Sequence, residues 1–306
     1  MSGDSRTDEK QVGVIGLGLL GSAIAARLLD EGFEVIGLDA DPVRGAELGV
    51  ETVSSAAELA SRVERVVLCL PGSGAVEEVC TGSEGLLEAG ESRLRLVIDC
   101  TTGEPARSEA IAERMASVGT GFVEAAVSGS SDLLRRGEAV LLVGAAHGVL
   151  DTAADILDVL APVVFHLGPV GAGAKMKLVS NLVVGLNRLV LAEAIDLAER
   201  AGVSPGKLLE VLRAGPGHSR ALELKGEKMV KSNYAPQAHL AQHLKDVGLI
   251  LELGRAAGAD LPLTRLHREL LERGVREGLG ELDNSSIIEV LRNSPGRAED
   301  GAAAGD

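Results

Sequence analysis

The chain has 306 residues, a formal charge of −15, 45% apolar and 25% charged residues, no Trp, one Tyr and three Phe. That length suits two domains of ~150 residues each, with cores built from Ala, Val, Leu and Ile. The charge repels phosphate backbones and anionic membrane surfaces, and the scarcity of aromatics removes base stacking, so neither nucleic acid nor membrane is expected as a partner.

Residues 1–10 and 294–306 have the composition of disordered tails, and the first of these lacks a hydrophobic signal segment. Between them, short apolar runs alternate with helical periodicity. Strands are predicted at Val12–Gly16, Glu34–Leu38, Arg65–Leu70, Leu94–Cys100, Gly121–Ala126, Ala139–Val143 and Val163–Leu167. Helices separate most of them, as at Leu19–Asp30, Glu104–Ser117 and Gly148–Leu160. Runs such as VVLCL suit strands covered on both faces of a parallel sheet. The fold class is therefore α/β: an N-terminal Rossmann domain over 11–168, with a doubly wound, mostly parallel sheet. From Gly171 only helical periodicity remains, so an all-α domain is expected over 169–293. Ala172–Arg200 reads as one long helix of the kind that crosses between domains or packs on a partner chain. Cys69, Cys80 and Cys100 are too few and scattered for a disulfide framework or zinc site. No run of about 18 apolar residues stands out as a membrane span, and a reducing cytoplasm is the simplest home.

VGVIGLGLLG supplies Gly16, Gly18 and Gly21 in the spacing G-x-G-x-x-G, with Leu19 and Leu20 at the head of the following helix. The glycines allow a tight turn, close approach of a pyrophosphate and close helix–strand packing, while the helix amides face the phosphates. A second strand ends in Asp39, placed to accept bonds from the ribose hydroxyls of NAD and to repel the extra phosphate of NADP. The plain structural reading is that Asp39 caps the turn at Asp41–Pro42. Arg44 is a cation near enough to leave NADP possible.

Four later segments complete a set: Asp99-Cys-Thr-Thr, Glu124-Ala-Ala-Val-Ser-Gly-Ser130, Gly171-Ala-Gly-Ala-Lys-Met-Lys177-Leu-Val-Ser-Asn181, and Lys245-Asp246. With the N-terminal glycines they resemble the β-hydroxyacid dehydrogenase family, which includes 3-hydroxyisobutyrate dehydrogenases and tartronate semialdehyde reductases, from about Val12 to Leu291. The resemblance implies an NAD-dependent oxidoreductase acting on a small anionic 3-hydroxy acid or its semialdehyde. It places the catalytic lysine on Lys177 and its partner on Asn181. Four residues apart on a helix, both side chains share one face. The same resemblance puts substrate binding at Ser128 and Gly129, with Thr102 near nicotinamide and substrate, Leu70 and Pro71 along the cofactor, and Lys245 closing the site. Asp246 reads as a brace. As the base, Lys177 needs a pKa below its ordinary ~10.4. Homodimers or homotetramers through the helical domain are also implied.

The chain departs from the family pattern in S-G-S, where Ser130 replaces a second glycine and either crowds a carboxylate or adds a contact to it. Ser180 stands where an asparagine is common, and Ala238 and Gln242 leave a roomier or more polar wall. His239 and His243, four apart on a helix but without a third metal ligand, read as surface or pocket-rim residues, and the resemblance makes His218 and Ser219 weaker candidates for substrate contact. The competing readings are an imine reductase on this scaffold, a sugar-phosphate dehydrogenase, and a catalytically idle NAD-binding module. Lys177 and Asn181 together speak against the first and last.

Overall fold

A computed structural model of the chain describes residues 10–294, so the expected tails lie outside the described residues. The chain divides into two compact units between Ser180 and Asn181.

The first unit is built on an eight-stranded sheet. Its strands are β1 (Gln11–Ile15), β2 (Glu34–Leu38), β3 (Glu51–Thr52), β4 (Arg65–Leu68), β5 (Leu96–Asp99), β6 (Gly121–Ser128), β7 (Val140–Gly144) and β8 (Val163–His166). Their spatial order is β3-β2-β1-β4-β5-β6-β7-β8, and every pair is parallel except β6 with β7. The helices between strands are α1 (Leu19–Asp30), α2 (Val43–Leu48), α3 (Ala56–Arg62), α4 (Ser73–Thr81), α5 (Pro105–Ser117), α6 (Ser131–Arg135) and α7 (His147–Leu160). Parallel strands need such crossovers, and the two hydrophobic clusters they create explain the near-continuous apolar strands. One centres on Val14, Ile24, Val67 and Ile98, the other on Ile15, Leu59, Val66 and Val97. Alternate residues of β1 thus feed opposite layers, as the period of two requires.

The sheet is the expected doubly wound, mostly parallel one; most strands differ by one or two residues at their ends, and two differences have a clear physical reason. β3 was not anticipated, because Glu51 and Thr52 are exposed edge residues with no apolar signal. β6 runs to Ser128, two residues past the expected end, because its extension pairs with β7, Ser128 lying opposite Val140.

The second part of the chain is helical. α8 (Ala172–Arg200) occupies the predicted span, followed by α9 (Pro205–Ala214), α10 (Arg220–Val230), α11 (Leu240–Ala256), α12 (Pro262–Arg276) and α13 (Ile287–Arg292). Prolines open α9 and α12, where the missing N–H costs nothing. Ser219 caps α10 by accepting the Leu222 amide at 3.2 Å. Leu189, Ala192 and Ile195 of α8 join Leu209, Leu222, Val247, Leu271 and Ile288 in one core. α8 is long and apolar enough to cross a membrane by length and composition alone, with a mean hydropathy of 1.5 over 18 residues. Its side in the core and its buried Arg188 mark it instead as the central helix of this unit.

Candidate active site

In the first unit, the sequence-derived positions gather at one edge of the sheet. Gly16, Asp39, Leu70, Thr102 and Gly129 each follow the C-terminal end of a strand, β1, β2, β4, β5 and β6 respectively. The strand order reverses between β1 and β4, and open α/β sheets bind ligands in the crevice at that point.

The glycine turn is shaped by contact rather than by flexibility alone. Gly16 has φ +91°, and a Cβ on Gly21 would lie 1.7 Å from the Gly16 carbonyl oxygen, so helix α1 and strand β1 touch through bare backbone. A Cβ on Gly18 would meet only Arg44 Nη1, at 3.5 Å. No described residue demands glycine there, so the position is open to a closely approaching group. Gly18 caps α1 without a side-chain hydrogen bond, which leaves the helix amides to an anion.

Asp39 is tied into this turn. Its Oδ2 accepts the Leu17 amide at 2.5 Å and its Oδ1 accepts the Asp41 amide at 2.8 Å. The turn-capping reading and the ribose-binding reading are therefore compatible, since a carboxylate has about four lone-pair sites. Arg44 Nη1 stands 3.4 Å from Asp39 Oδ2.

Leu70 is held by a residue that sequence reasoning passed over. Thr101 accepts the Leu70 amide at 3.0 Å, and Asp99 Oδ1 accepts the Thr101 amide at 2.9 Å. Both side chains are buried, so the β4 and β5 loops are locked together beside Thr102. The run Asp99-Cys-Thr-Thr contains two threonines, and only the fold tells that Thr101 points inward.

Ser128 ends β6, and a Cβ on Gly129 would make contacts of 3.4 Å with Leu133 and Ala139. Ser130 acts locally, its hydroxyl accepting the Leu133 amide at 3.3 Å and capping α6. Lys177 is 8% exposed, far from an ordinary surface lysine, whereas Lys175 is exposed and paired with Glu109 at 3.0 Å.

In the second unit, Asn181 Nδ2 donates to Asp246 Oδ2 at 3.1 Å, and Lys245 Nζ lies 3.2 Å from Asp246 Oδ1. Asp246, read from the sequence as a brace, thus accepts the Asn181 amide. The histidines differ from expectation. His239 precedes α11 as its N-cap, with Nδ1 2.7 Å from the Glu281 carbonyl oxygen, so it does not share a helix with His243. His243 is buried against His267, the ring centroids 5.1 Å apart, in space left by Gly185 of α8. His218 lies beside Glu223, Nε2 to Oε1 3.2 Å. No group of three metal-ligating side chains occurs among the described residues.

The thiols are poor nucleophiles here. Burial, then the Asp99 charge, pushes Cys69 up to about 12, and burial raises Cys80 and Cys100 as well.

Residues 11–168 match the family model described as the NAD binding domain of 6-phosphogluconate dehydrogenase. Residues 171–291 match that described as NAD-binding of NADP-dependent 3-hydroxyisobutyrate dehydrogenase. The chain belongs to the β-hydroxyacid dehydrogenase family. A relative, 2-(hydroxymethyl)glutarate dehydrogenase of Eubacterium barkeri, is 31% identical over 94% of this chain and 96% of its own length. The 2-hydroxy-3-oxopropionate reductase of Escherichia coli is 28% identical over 92% of this chain and 97% of its own. Among solved structures, a 3-hydroxyisobutyrate dehydrogenase from Salmonella typhimurium is 25% identical and covers 92% of this chain and 99% of its own, with a TM-score of 0.82. This β-hydroxyacid dehydrogenase is an NAD(P)-dependent oxidoreductase.

Proposed function

We propose that this enzyme interconverts a small 3-hydroxy acid and its semialdehyde, with Lys177 as general acid/base and NAD as the favoured cofactor. The observation that carries the reading is the burial of Lys177, 8% exposed near the head of α8, with Asn181 one turn further along the same helix. A shared helix face brings both side chains to one substrate oxygen.

NAD fits the crevice at Gly16, Gly18 and Gly21, with Leu19 and Leu20 opening α1, Asp39 at the ribose, and Leu70, Pro71 and Thr102 alongside. When bound, the cofactor supplies the hydride acceptor for oxidation and the hydride donor for reduction. Lys177 Nζ takes the substrate hydroxyl proton in oxidation and returns it in reduction. Asn181 keeps one amide hydrogen on Asp246 and offers the other to the same oxygen. Ser128 and the Gly129 amide hold the substrate carboxylate, and Ser130 supports them while capping α6. Lys245, beside Asp246, is assigned to cofactor binding. The relatives' names share a carboxylate with an alcohol or aldehyde nearby, which supports this substrate class.

We read the enzyme as a cytoplasmic homodimer or homotetramer. Its three free cysteines suit a reducing compartment, and the exposed apolar side of α8 suits self-association.

The test is nicotinamide absorbance with NAD and NADP over a panel of 3-hydroxy acids and semialdehydes, for wild type and Lys177→Ala. Loss of the general acid/base is expected to lower kcat by ~10²–10⁴ while NAD binding persists. A variant that keeps wild-type turnover removes Lys177 from the chemistry. Reduction of cyclic imines in place of semialdehydes would assign the site to imine reduction.

A further inference from the structure

Glu124 is 1% exposed in the middle of β6, and no step above uses it. In register it lies between Asp99 of β5 and Gly144 of β7. Its Oε2 accepts the Gly171 amide at 3.1 Å, one residue before α8 begins. Three glycines make the space for it. A Cβ on Gly144 would lie 2.7 Å from Glu124 Oε2, and one on Gly173 would lie 2.9 Å from the same atom and 2.6 Å from the Leu142 carbonyl oxygen. Gly171 adopts φ +92°, which turns its amide into the strand layer. The glycines ahead of Lys177 thus serve a buried carboxylate clamped to the start of the helix.

We propose that Glu124 is the positioning residue that fixes Lys177 relative to the Ser128–Gly129 turn. This rests on the acid/base reading of Lys177 given above. Both arms of the site start at this carboxylate. Ser128 lies four residues further along the strand, ~13 Å at its usual rise, and Lys177 lies six residues past Gly171, ~9 Å along the helix. A tilt of ~0.1 radian at the clamp therefore shifts Lys177 by ~1 Å, a displacement that can cost ~10²-fold in rate. Burial pushes the Glu124 carboxyl upward, while the amides of Ala174, Gly171 and Gly173 and the Ser108 hydroxyl favour its charged form. The negative charge also complements the positive end of α8.

The test compares wild type, Glu124→Gln and Glu124→Asp. NADH oxidation is followed in a single turnover with tartronate semialdehyde and normalised to NADH-binding sites, so loss of folded protein leaves the rate per site unchanged. Amide exchange is measured over residues 171–177 of the same proteins. Glu124→Gln keeps the size but loses the charge, and is expected to lower the per-site rate roughly tenfold to a hundredfold. Its dissociation constant for NADH should stay within about twofold of wild type, while amide exchange accelerates. A per-site rate within about twofold of wild type overturns the proposal, whatever happens to thermal stability. Glu124→Asp supplies the same reading if the Gln variant does not fold. If wild type leaves tartronate semialdehyde unreduced, the substrate reading is at fault. The exchange comparison then decides on Glu124 alone, and unchanged exchange over 171–177 rejects it.

Discussion

The Asp39 carboxylate takes the Leu17 amide on one oxygen and the Asp41 amide on the other, with the half-exposed Arg44 guanidinium 3.4 Å away. In the proposed cofactor site Asp39 accepts from a ribose with two free hydroxyls, and Arg44 is the cation beside it that a 2′-phosphate would meet. Arg44→Ala is expected to raise the KM for NADP roughly tenfold, as for loss of one charge-assisted hydrogen bond. The KM for NAD should change by less than about threefold. Equal changes for both cofactors would place Arg44 away from the 2′ position. Asp39 was legible because it follows an apolar strand at a fixed distance from the glycines. Thr101 and Glu124 were not, because a polar residue beside or within a strand carries no mark of the partner it meets. Ser130 was visible as a departure from S-G-G, but its capping role appears only once α6 is known to start at the next residue.

Helix α8 shows how one element serves several surfaces. Its buried side carries Leu189, Ala192 and Ile195 into the core. Met176, Val183, Val190 and Leu197 recur every seven residues and are 42–66% exposed. A seven-residue apolar repeat is the seam of a helix pair, and exposed apolar stripes of this length mark interaction sites. The double variant Val183→Glu with Val190→Glu is expected to shift the protein to monomer in sedimentation analysis without loss of helix content. An unchanged sedimentation coefficient would rule this stripe out as the interface. The length of α8 was readable from its periodicity. Which apolar residues stay outside was not, since the helix is apolar on more than one side and only packing decides among them.

Across the molecule, an acidic sequence with a pI near 4.9 loses self-repulsion as pH falls, and the helical unit carries an opposing device. His267 is buried beside Arg188, and burial first, then the Arg188 charge, lowers its pKa from 6.5 to about 4. Between those values the unfolded chain binds the proton and the folded one does not, so stability falls as pH drops from 6.5 toward 4. The loss is on the order of 3 kcal/mol when complete. Urea unfolding at pH 7.5 and pH 5.0 is expected to show a smaller acid loss for His267→Leu than for wild type. Identical pH dependence in the two proteins would remove His267 as its source. Nearby, Lys225 and Asp283 form a buried pair at 2.8 Å. Burial pushes the Asp283 carboxyl up, but the charge and hydrogen bonds of Lys225 outweigh it and hold the group at about 2. That pair's contribution is whole above about pH 5 and is lost progressively as pH falls through 3.8 toward about 2.

The sequence by itself determined the alternation of seven of the eight strands with helices, the glycine turn and the family, because period, spacing and glycine placement are local properties of the chain. Tertiary structure decided which polar residues turn inward. Glu124, Thr101, Arg188 and His267 reach their partners across 47, 31, 95 or 79 residues of chain, counting to Gly171, Leu70, Asp283 and Arg188 in turn. No local pattern encodes contacts at such separations, because they exist only after the sheet and helices have packed.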